Sequence, residues 1–316
     1  MPPLRQILDQ PPGRAVAAVA IAGLCLIWGT TWSVIHVGLR GIPPLSGVAM
    51  RFALASLLLV LLARAIGVPL RGSRIERRLW LVHGLCAFCI SYGVTYWAQQ
   101  WVPSGLASLL FATFPLFLAG LAHFMLPGER LAGPATLGML AGFAGVAVIF
   151  SQDFALLGGP RVLEASAVML VAPFSSALGN VMVKRYGEGI HPISLNAIAM
   201  GVAAGVMGAA ALALERDQRL VFDAVSIGAL LYLAIAGSAV TFTVYFWLLR
   251  HMPATRLSLI AYMIPVVAVV IGWTLFDEPV TARSIAGGAL VLAGVALAGR
   301  GHRAKAAGGQ EVDGRS

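Results

Sequence analysis

Charge is what this 316-residue chain has least of. Only 11% of its residues are Asp, Glu, Lys or Arg, against roughly 25% in an ordinary soluble domain. Hydrophobic residues make up 59%, and mean hydropathy is +0.86. So few charges cannot cover the surface of a soluble core, which excludes a water-soluble enzyme. Acid is the scarcer sign, with 13 Asp and Glu against 22 Lys and Arg. All the acids fall in tails, loops or predicted helix ends, so none stands at mid-membrane, where proton-coupled carriers usually hold a carboxylate or histidine. His36, His83 and His123 sit nearer span ends than span centres and read as structural hydrogen-bonding residues.

Cysteine is also sparse. Cys25, Cys86 and Cys89 are an odd number, which argues against a disulfide framework. Cys86 and Cys89 form a C-x-x-C, but the surrounding run from Leu85 to Ile90 supplies neither metal partners nor access, so they read as small packing residues. The chain lacks the His-Glu-x-x-His of a zinc protease and the Gly-x4-Gly-Lys-Ser/Thr of a nucleotide-driven pump. No arrangement singles out a serine for intramembrane proteolysis. Neither a metal nor a cofactor is expected. The net charge of +9 points to basic loops rather than to a nucleic-acid partner.

Long apolar runs are what the chain does have. Pro, Gly and charge divide it into ten: Ala15–Val37, Leu45–Ile66, Leu79–Ala98, Ser104–Leu126, Ala135–Phe150, Glu164–Val183, Pro192–Leu214, Ser226–Leu249, Leu257–Phe276 and Thr281–Gly299. A span takes about 20 residues, and lipid offers the backbone no partner, so each run is predicted to be a helix. Arg5 and Arg14 precede the first run as in a signal peptide. Nine further runs follow without a clear small-residue cleavage site, so the first is read as retained. With the N-terminus inside, sixteen Lys and Arg fall on inner segments and five (Arg40, Arg161, Arg216, Arg219, Arg283) on outer ones, with Arg51 inside the second run. This bias places both termini in the cytoplasm. The tail, residues 300–316, is expected to be disordered.

The chain also repeats itself. Tyr96-Trp97, Val102-Pro103, Ser108-Leu109 and Phe114-Pro115 recur as Phe246-Trp247, Met252-Pro253, Ser258-Leu259 and Ile264-Pro265, 150 positions later. Gly138 and Gly145 recur as Gly287 and Gly294 after 149 positions, and the run Ile42 to Leu45 is echoed by Ile190 to Ile193 after 148. Five helices per unit is an odd number, so the second copy enters the membrane from the opposite side. Inverted repeats of this kind are a known route to alternating access.

At this point the motifs resemble a family. Trp28-Gly-Thr-Thr-Trp32, Gly41-Ile-Pro-Pro-Leu45, Arg51-Phe52, the run Trp101 to Leu110, Gly128-Glu129 and Asp277-Glu278-Pro279 are similar to those of EamA-family drug/metabolite transporters. The resemblance spans about residues 15–299. It implies an all-α membrane protein of ten helices, two inverted five-helix repeats (15–150 and 164–299) around a central cavity. It further implies export of amino acids, related metabolites or drugs across the bacterial inner membrane. One departure is Asp277-Glu278, which stands where Gly-Glu is more usual.

Candidate contacts for a solute come from polar and aromatic residues on shared helix faces. These are Trp28 and Trp32 in the first helix and Tyr92 and Tyr96, with Gln99, in the third. Asn180 is in the sixth, Thr241 and Tyr245, with Ser238, in the eighth, and Tyr262 in the ninth. Such stripes suit a cavity for an amphipathic organic solute; the alternative is hydrogen bonding between helices. Pro115 and Pro265, equivalent under the repeat, fall near the centres of the fourth and ninth helices. Each serves either as a bending point for a gate or as a source of fixed curvature. Arg51, the deepest cation, either attracts a substrate carboxylate or holds the fold. The expected partners are a small-molecule substrate and the lipid bilayer, with the chain a monomer or homodimer. A passive channel for small solutes is the alternative function, and an intramembrane enzyme a more distant one.

Overall fold

The computed structural model describes residues 4–129, 133–151, 160–276 and 281–313. Arg130 and the Asp277-Glu278-Pro279 motif lie outside the described residues, among which all regular structure is helical. A short helix, Leu4–Asp9, precedes ten apolar helices. They are α1 (Arg14–Gly38), α2 (Pro44–Ala65), α3 (Arg74–Ala98), α4 (Ser104–Met125), α5 (Gly133–Ile149), α6 (Arg161–Tyr186), α7 (Pro192–Leu214), α8 (Ala224–His251), α9 (Ala254–Ser258 continued by Ile260–Phe276) and α10 (Ala282–Asp313). Among the described residues, α1 to α4 and α6 to α8 are long and apolar enough to cross a membrane, and α5, α9 and α10 contribute shorter apolar stretches. Together they correspond one for one to the ten runs in the sequence. α10 continues as helix past Gly299, where its apolar run stops.

Prolines mark repeat-related helix starts. Pro44 and Pro192 open α2 and α7, while Pro103 and Pro253 stand just before α4 and α9. These are places where a missing N–H costs nothing and a fixed φ helps. The two mid-chain prolines behave differently from each other. α4 is interrupted at Ala112-Thr113, and Pro115 falls in the first turn of the segment that restarts at Phe114. Pro265 lies inside the Ile260–Phe276 segment of α9. Equivalent central kinks were expected, but only Pro265 sits within a continuous helix. The break before Pro115 has already absorbed the backbone bond that its ring would remove.

Two seams join the halves, and each pairs a helix with its repeat partner: α2 against α7, and α5 against α10. On the second seam the backbones nearly touch. A Cβ added at Gly138 would stand 2.4 Å from the Ala298 amide nitrogen, and one at Gly294 would stand 2.4 Å from that of Gly142. Only glycine permits this approach. On the first seam Ser56 Oγ donates to the Ala197 carbonyl at 2.7 Å.

Contacts at the helix ends place alternate loops together. Arg5 donates to the Gly67 carbonyl between α2 and α3, and Trp247 Nε1 near the end of α8 donates to the Gln10 carbonyl. Lys184 at the end of α6 donates to the Leu249 and Met252 carbonyls at 2.6 and 2.9 Å. After α4, the Glu129 carboxylate accepts the Ala254 and Thr255 N–H groups that begin α9. At the opposite end, Glu215 after α7 accepts the Leu45 and Ser46 N–H groups that begin α2. Both carboxylates sit at helix N-termini, where orphan donors and the helix dipole favour an anion.

α3 and α8 share one irregularity. Each contains a π-helical stretch, Gly84–Ile90 in α3 and Ile235–Val240 in α8, whose last residues are 150 positions apart. A π turn holds one residue more than an α turn, and such turns are frequent at functional sites. The wide turns leave carbonyls open to lateral donors. Ser175 Oγ donates to the Cys86 carbonyl at 2.8 Å, and Arg51 Nη2 to the Gly237 carbonyl at 2.9 Å.

Candidate functional site

The six helices outside the two seams, α1, α3, α4, α6, α8 and α9, wall a cavity of about 90 Å³. Twelve of its eighteen described lining residues fall into repeat-related pairs. Trp28 and Trp32 of α1 face it together with Ser176 and Asn180 of α6, 148 positions on. Tyr92 and Thr95 of α3 face it with Phe242 and Tyr245 of α8, and Phe111 and Phe114 of α4 with Ala261 and Ile264 of α9, each 150 positions on. In each pair both repeat partners line the same cavity. The cavity therefore sits where the internal symmetry of the chain relates the two halves.

The wall is mostly ring and hydrocarbon. Trp28 packs against Phe242 and Tyr245 with ring centroids 5.5 Å apart in both cases. Trp32 lies 5.5 Å from Phe111, and the repeat partners Tyr92 and Phe242 meet at 6.1 Å. Set into this surface are polar atoms with no hydrogen-bond partner among the described residues: Trp28 Nε1, Ser91 Oγ, Asn180 Oδ1 and Tyr245 Oη. Asn180 spends its amide N–H on the Ser176 carbonyl at 2.8 Å, which leaves the oxygen to accept. Buried polar groups normally have partners. Here a donor (Trp28), an acceptor (Asn180) and two hydroxyls that can do either converge on one apolar space, as in a site that orients an amphipathic solute. Among the described residues no Asp, Glu, Lys or Arg is in the lining, and no cluster of His, Cys, Asp and Glu is arranged to hold a metal.

Both halves of the chain match the EamA-like transporter family, over residues 15–151 and 164–300. The chain belongs to that family. It is 26% identical over 279 residues to the uncharacterized transporter YoaV of Bacillus subtilis strain 168, covering 88% of this chain and 94% of that protein. It is 32% identical over 263 residues to the uncharacterized inner membrane transporter YedA of Escherichia coli K12, covering 82% of each. A third relative, at 26% over 280 residues and covering 85% of this chain and 90% of its own, is named a probable amino-acid metabolite efflux pump of Escherichia coli K12. A solved crystal structure shares the fold with a TM-score of 0.76 at 19% identity, covering 90% of this chain and 97% of the other. The chain is thus a multi-pass membrane transporter of the drug/metabolite superfamily.

Within the transporter, Trp28, Trp32, Tyr92, Asn180 and Tyr245 stand on the cavity wall. Three further residues expected there stand elsewhere. Tyr96 is buried between α3 and α2, its Oη 3.2 Å from Arg51 Nη1 and its ring against Gly47. Tyr262 is fully buried on α9, with its ring against Gly142 of α5. Thr241 is fully buried and is not among the lining residues, although it stands one regular α turn before Tyr245, which is. Phe242, Thr95, Phe111 and Phe114 were not singled out from the sequence. The repeat carried the signal for two of them, since Phe242 is the partner of Tyr92 and Thr95 the partner of Tyr245.

Arg51 does not line the cavity. It is 1% exposed, and Nε donates to Ser238 Oγ at 2.7 Å, Nη2 to the Gly237 carbonyl at 2.9 Å and Nη1 to Tyr96 Oη at 3.2 Å. The flat face of its guanidinium stacks 4.7 Å from the Tyr92 ring centroid. One side chain of α2 thereby joins α3 of its own half to α8 of the other.

Proposed function

We propose that this transporter exports small organic metabolites, amino acids or related compounds, from the cytoplasm across a bacterial inner membrane by alternating access. In this reading all ten apolar helices cross the bilayer and both termini are cytoplasmic. The observation that carries it is the pairing of the cavity wall by the inverted repeat. Two halves that enter the membrane from opposite sides and share one cavity can exchange conformations, and the exchange opens the cavity to the other face. The sixteen-to-five division of Lys and Arg supports the orientation. A relative named as an amino-acid metabolite efflux pump supports the direction and cargo class. Rings on the wall accept the apolar body of a solute, while Asn180, Tyr245 and Ser91 orient its polar end. With no ionisable carboxylate or cation in the lining, transport runs down a gradient or by exchange.

Counterflow in proteoliposomes tests the mechanism. Vesicles preloaded with unlabelled amino acid should take up label faster than empty ones; equal rates would make the protein a passive channel. For the orientation, Asp217→Cys should react with an impermeant thiol reagent added to intact cells, and Arg74→Cys should not.

A further inference from the structure

Beyond the wall itself, one side chain governs how the wall is presented. Arg51 lies behind the cavity, and its contacts on α8 are with Gly237 and Ser238, inside the Ile235–Val240 π stretch. Phe242 and Tyr245 follow within the next two turns and form the second half's aromatic wall. We propose that Arg51 is the positioning residue of the cavity, fixing the register of α8 by holding its π stretch, so that Phe242 and Tyr245 rather than Thr241 and Val244 face the solute.

A π stretch inserts one residue, and one residue turns an α-helix by about 100°. If the stretch closes or moves past Tyr245, each downstream residue takes the angular place of its successor. Thr241 and Val244 then stand where Phe242 and Tyr245 stood, and a two-ring wall becomes a hydroxyl and an isopropyl group. What holds the wide turn is the pair of bonds from one guanidinium, Nη2 to the Gly237 carbonyl and Nε to Ser238 Oγ. Arginine suits the task because its donors lie in a rigid fork and its flat face stacks on Tyr92, which lysine's single ammonium cannot reproduce. The position of Gly237 fits as well: a Cβ there would stand 3.4 Å from Arg51 Nη2 and 3.1 Å from Thr31 Cγ2. Among the described residues the equivalent stretch in α3 receives the neutral Ser175 hydroxyl on its Cys86 carbonyl, so the charged clamp acts on α8.

The proposal rests on the cavity reading given above, and the test separates the two. Single cysteines are introduced at Thr241, Phe242, Val244 and Tyr245 in the full-length protein in liposomes. They are labelled with a small methanethiosulfonate, with Cys25, Cys86 and Cys89 as the baseline. Labelling is expected at positions 242 and 245 and near baseline at 241 and 244. With Arg51→Gln the pattern should invert, with Ser238→Ala it should shift part-way, and Arg51→Lys should fail to restore it. Ser238→Ala keeps the arginine buried in place and decides the matter if Arg51→Gln does not fold. An unchanged 242/245 pattern in the folded variants overturns the positioning role. A parent protein that labels at none of the four positions overturns the cavity reading itself, and the positioning role with it.

Discussion

The two halves of the transporter agree where they pack against each other and differ where they face the cavity. At the α5–α10 seam both use glycine at matching places, Gly138 and Gly145 in one half and Gly287 and Gly294 in the other. Around the cavity the first half presents five rings (Trp28, Trp32, Tyr92, Phe111 and Phe114) and the second presents two, Phe242 and Tyr245. Across the paired positions, Trp28 corresponds to Ser176, Trp32 to Asn180 and Phe111 to Ala261. A seam between repeat partners must satisfy the same steric condition from both sides, so neither side can change alone. A cavity wall has no such condition, and here most of the rings come from one half, while each half contributes two of the four unpartnered polar atoms. Symmetry supplies the way to switch faces, and asymmetry supplies recognition.

The largest expected effect breaks this division at its most unequal pair. Trp28→Ala removes a ring that touches both Phe242 and Tyr245 and should abolish transport while the protein still inserts and stays folded. Ser176→Ala at the partner position should leave transport little changed. Proteoliposome uptake, with size-exclusion profiles as the folding control, measures both. If Trp28→Ala transports at the parental rate, the aromatic wall is packing only.

Next in size is the seam, where the comparison predicts equality. Gly145→Ala and Gly294→Ala, at repeat-partner positions, drive a methyl to 2.6 and 2.4 Å of backbone nitrogen on the opposing helix. Overpacking of this kind costs about 1–3 kcal/mol. The two variants should lose similar amounts of thermal stability in detergent. A large loss in one and none in the other would mean that the seam is not the symmetric contact described here.

A smaller effect probes the polar wall. Asn180 Oδ1 has no partner within the described residues, so a hydrogen bond to it would come from the solute. Such bonds are worth about 1 kcal/mol, or about fivefold in affinity. Asn180→Ala should therefore raise KM about fivefold for a solute with a donor at its polar end and leave the maximal rate near the parental value. Equal KM values for parent and variant would remove Asn180 from recognition.

Much of this architecture was legible in the sequence because lipid leaves the backbone no alternative to the helix. The ten apolar runs follow from that constraint, and the 150-residue echo was visible in the sequence itself. The cavity was legible in part. Trp28 and Trp32 share a face on a regular helix, and both reach the wall. Thr241 did not, although it shares a face with Tyr245 in a regular α segment; the wall runs from Tyr245 to Phe242, three residues back, rather than to Thr241, four back. Tyr96 and Tyr262 carry the same amphipathic chemistry as the wall tyrosines. Their fate was decided by distant neighbours, Arg51 and Gly142, which lie on other helices. The break at Ala112-Thr113 was hidden for a similar reason, since Pro115 signals a disturbance in α4 without saying on which side of it the helix restarts.

The smallest effect concerns the caps that start α3 and α8. Ser73 and Asp223, 150 positions apart, are repeat partners that solve the same problem with different chemistry. Ser73 Oγ accepts the Glu76 N–H while the Glu76 carboxylate accepts the Ser73 N–H, a capping box. Asp223 accepts the Ser226 N–H at 2.7 Å with a charged oxygen. That bond holds the Asp223 carboxyl below its ordinary 3.8. A group whose folded value is depressed stabilises the fold above its unfolded value, and that contribution is lost as pH falls through the folded value. The α8 cap should therefore weaken on acidification below about pH 4. Asp223→Ser turns the second half's cap into the first half's residue. Serine and aspartate cap comparably, so thermal stability near pH 7 should hardly move, while the loss between pH 5 and pH 3 should be smaller than in the parent. Parallel pH profiles for parent and variant would show that Asp223 contributes nothing through its charge, and the two halves would then start these helices in energetically equivalent ways.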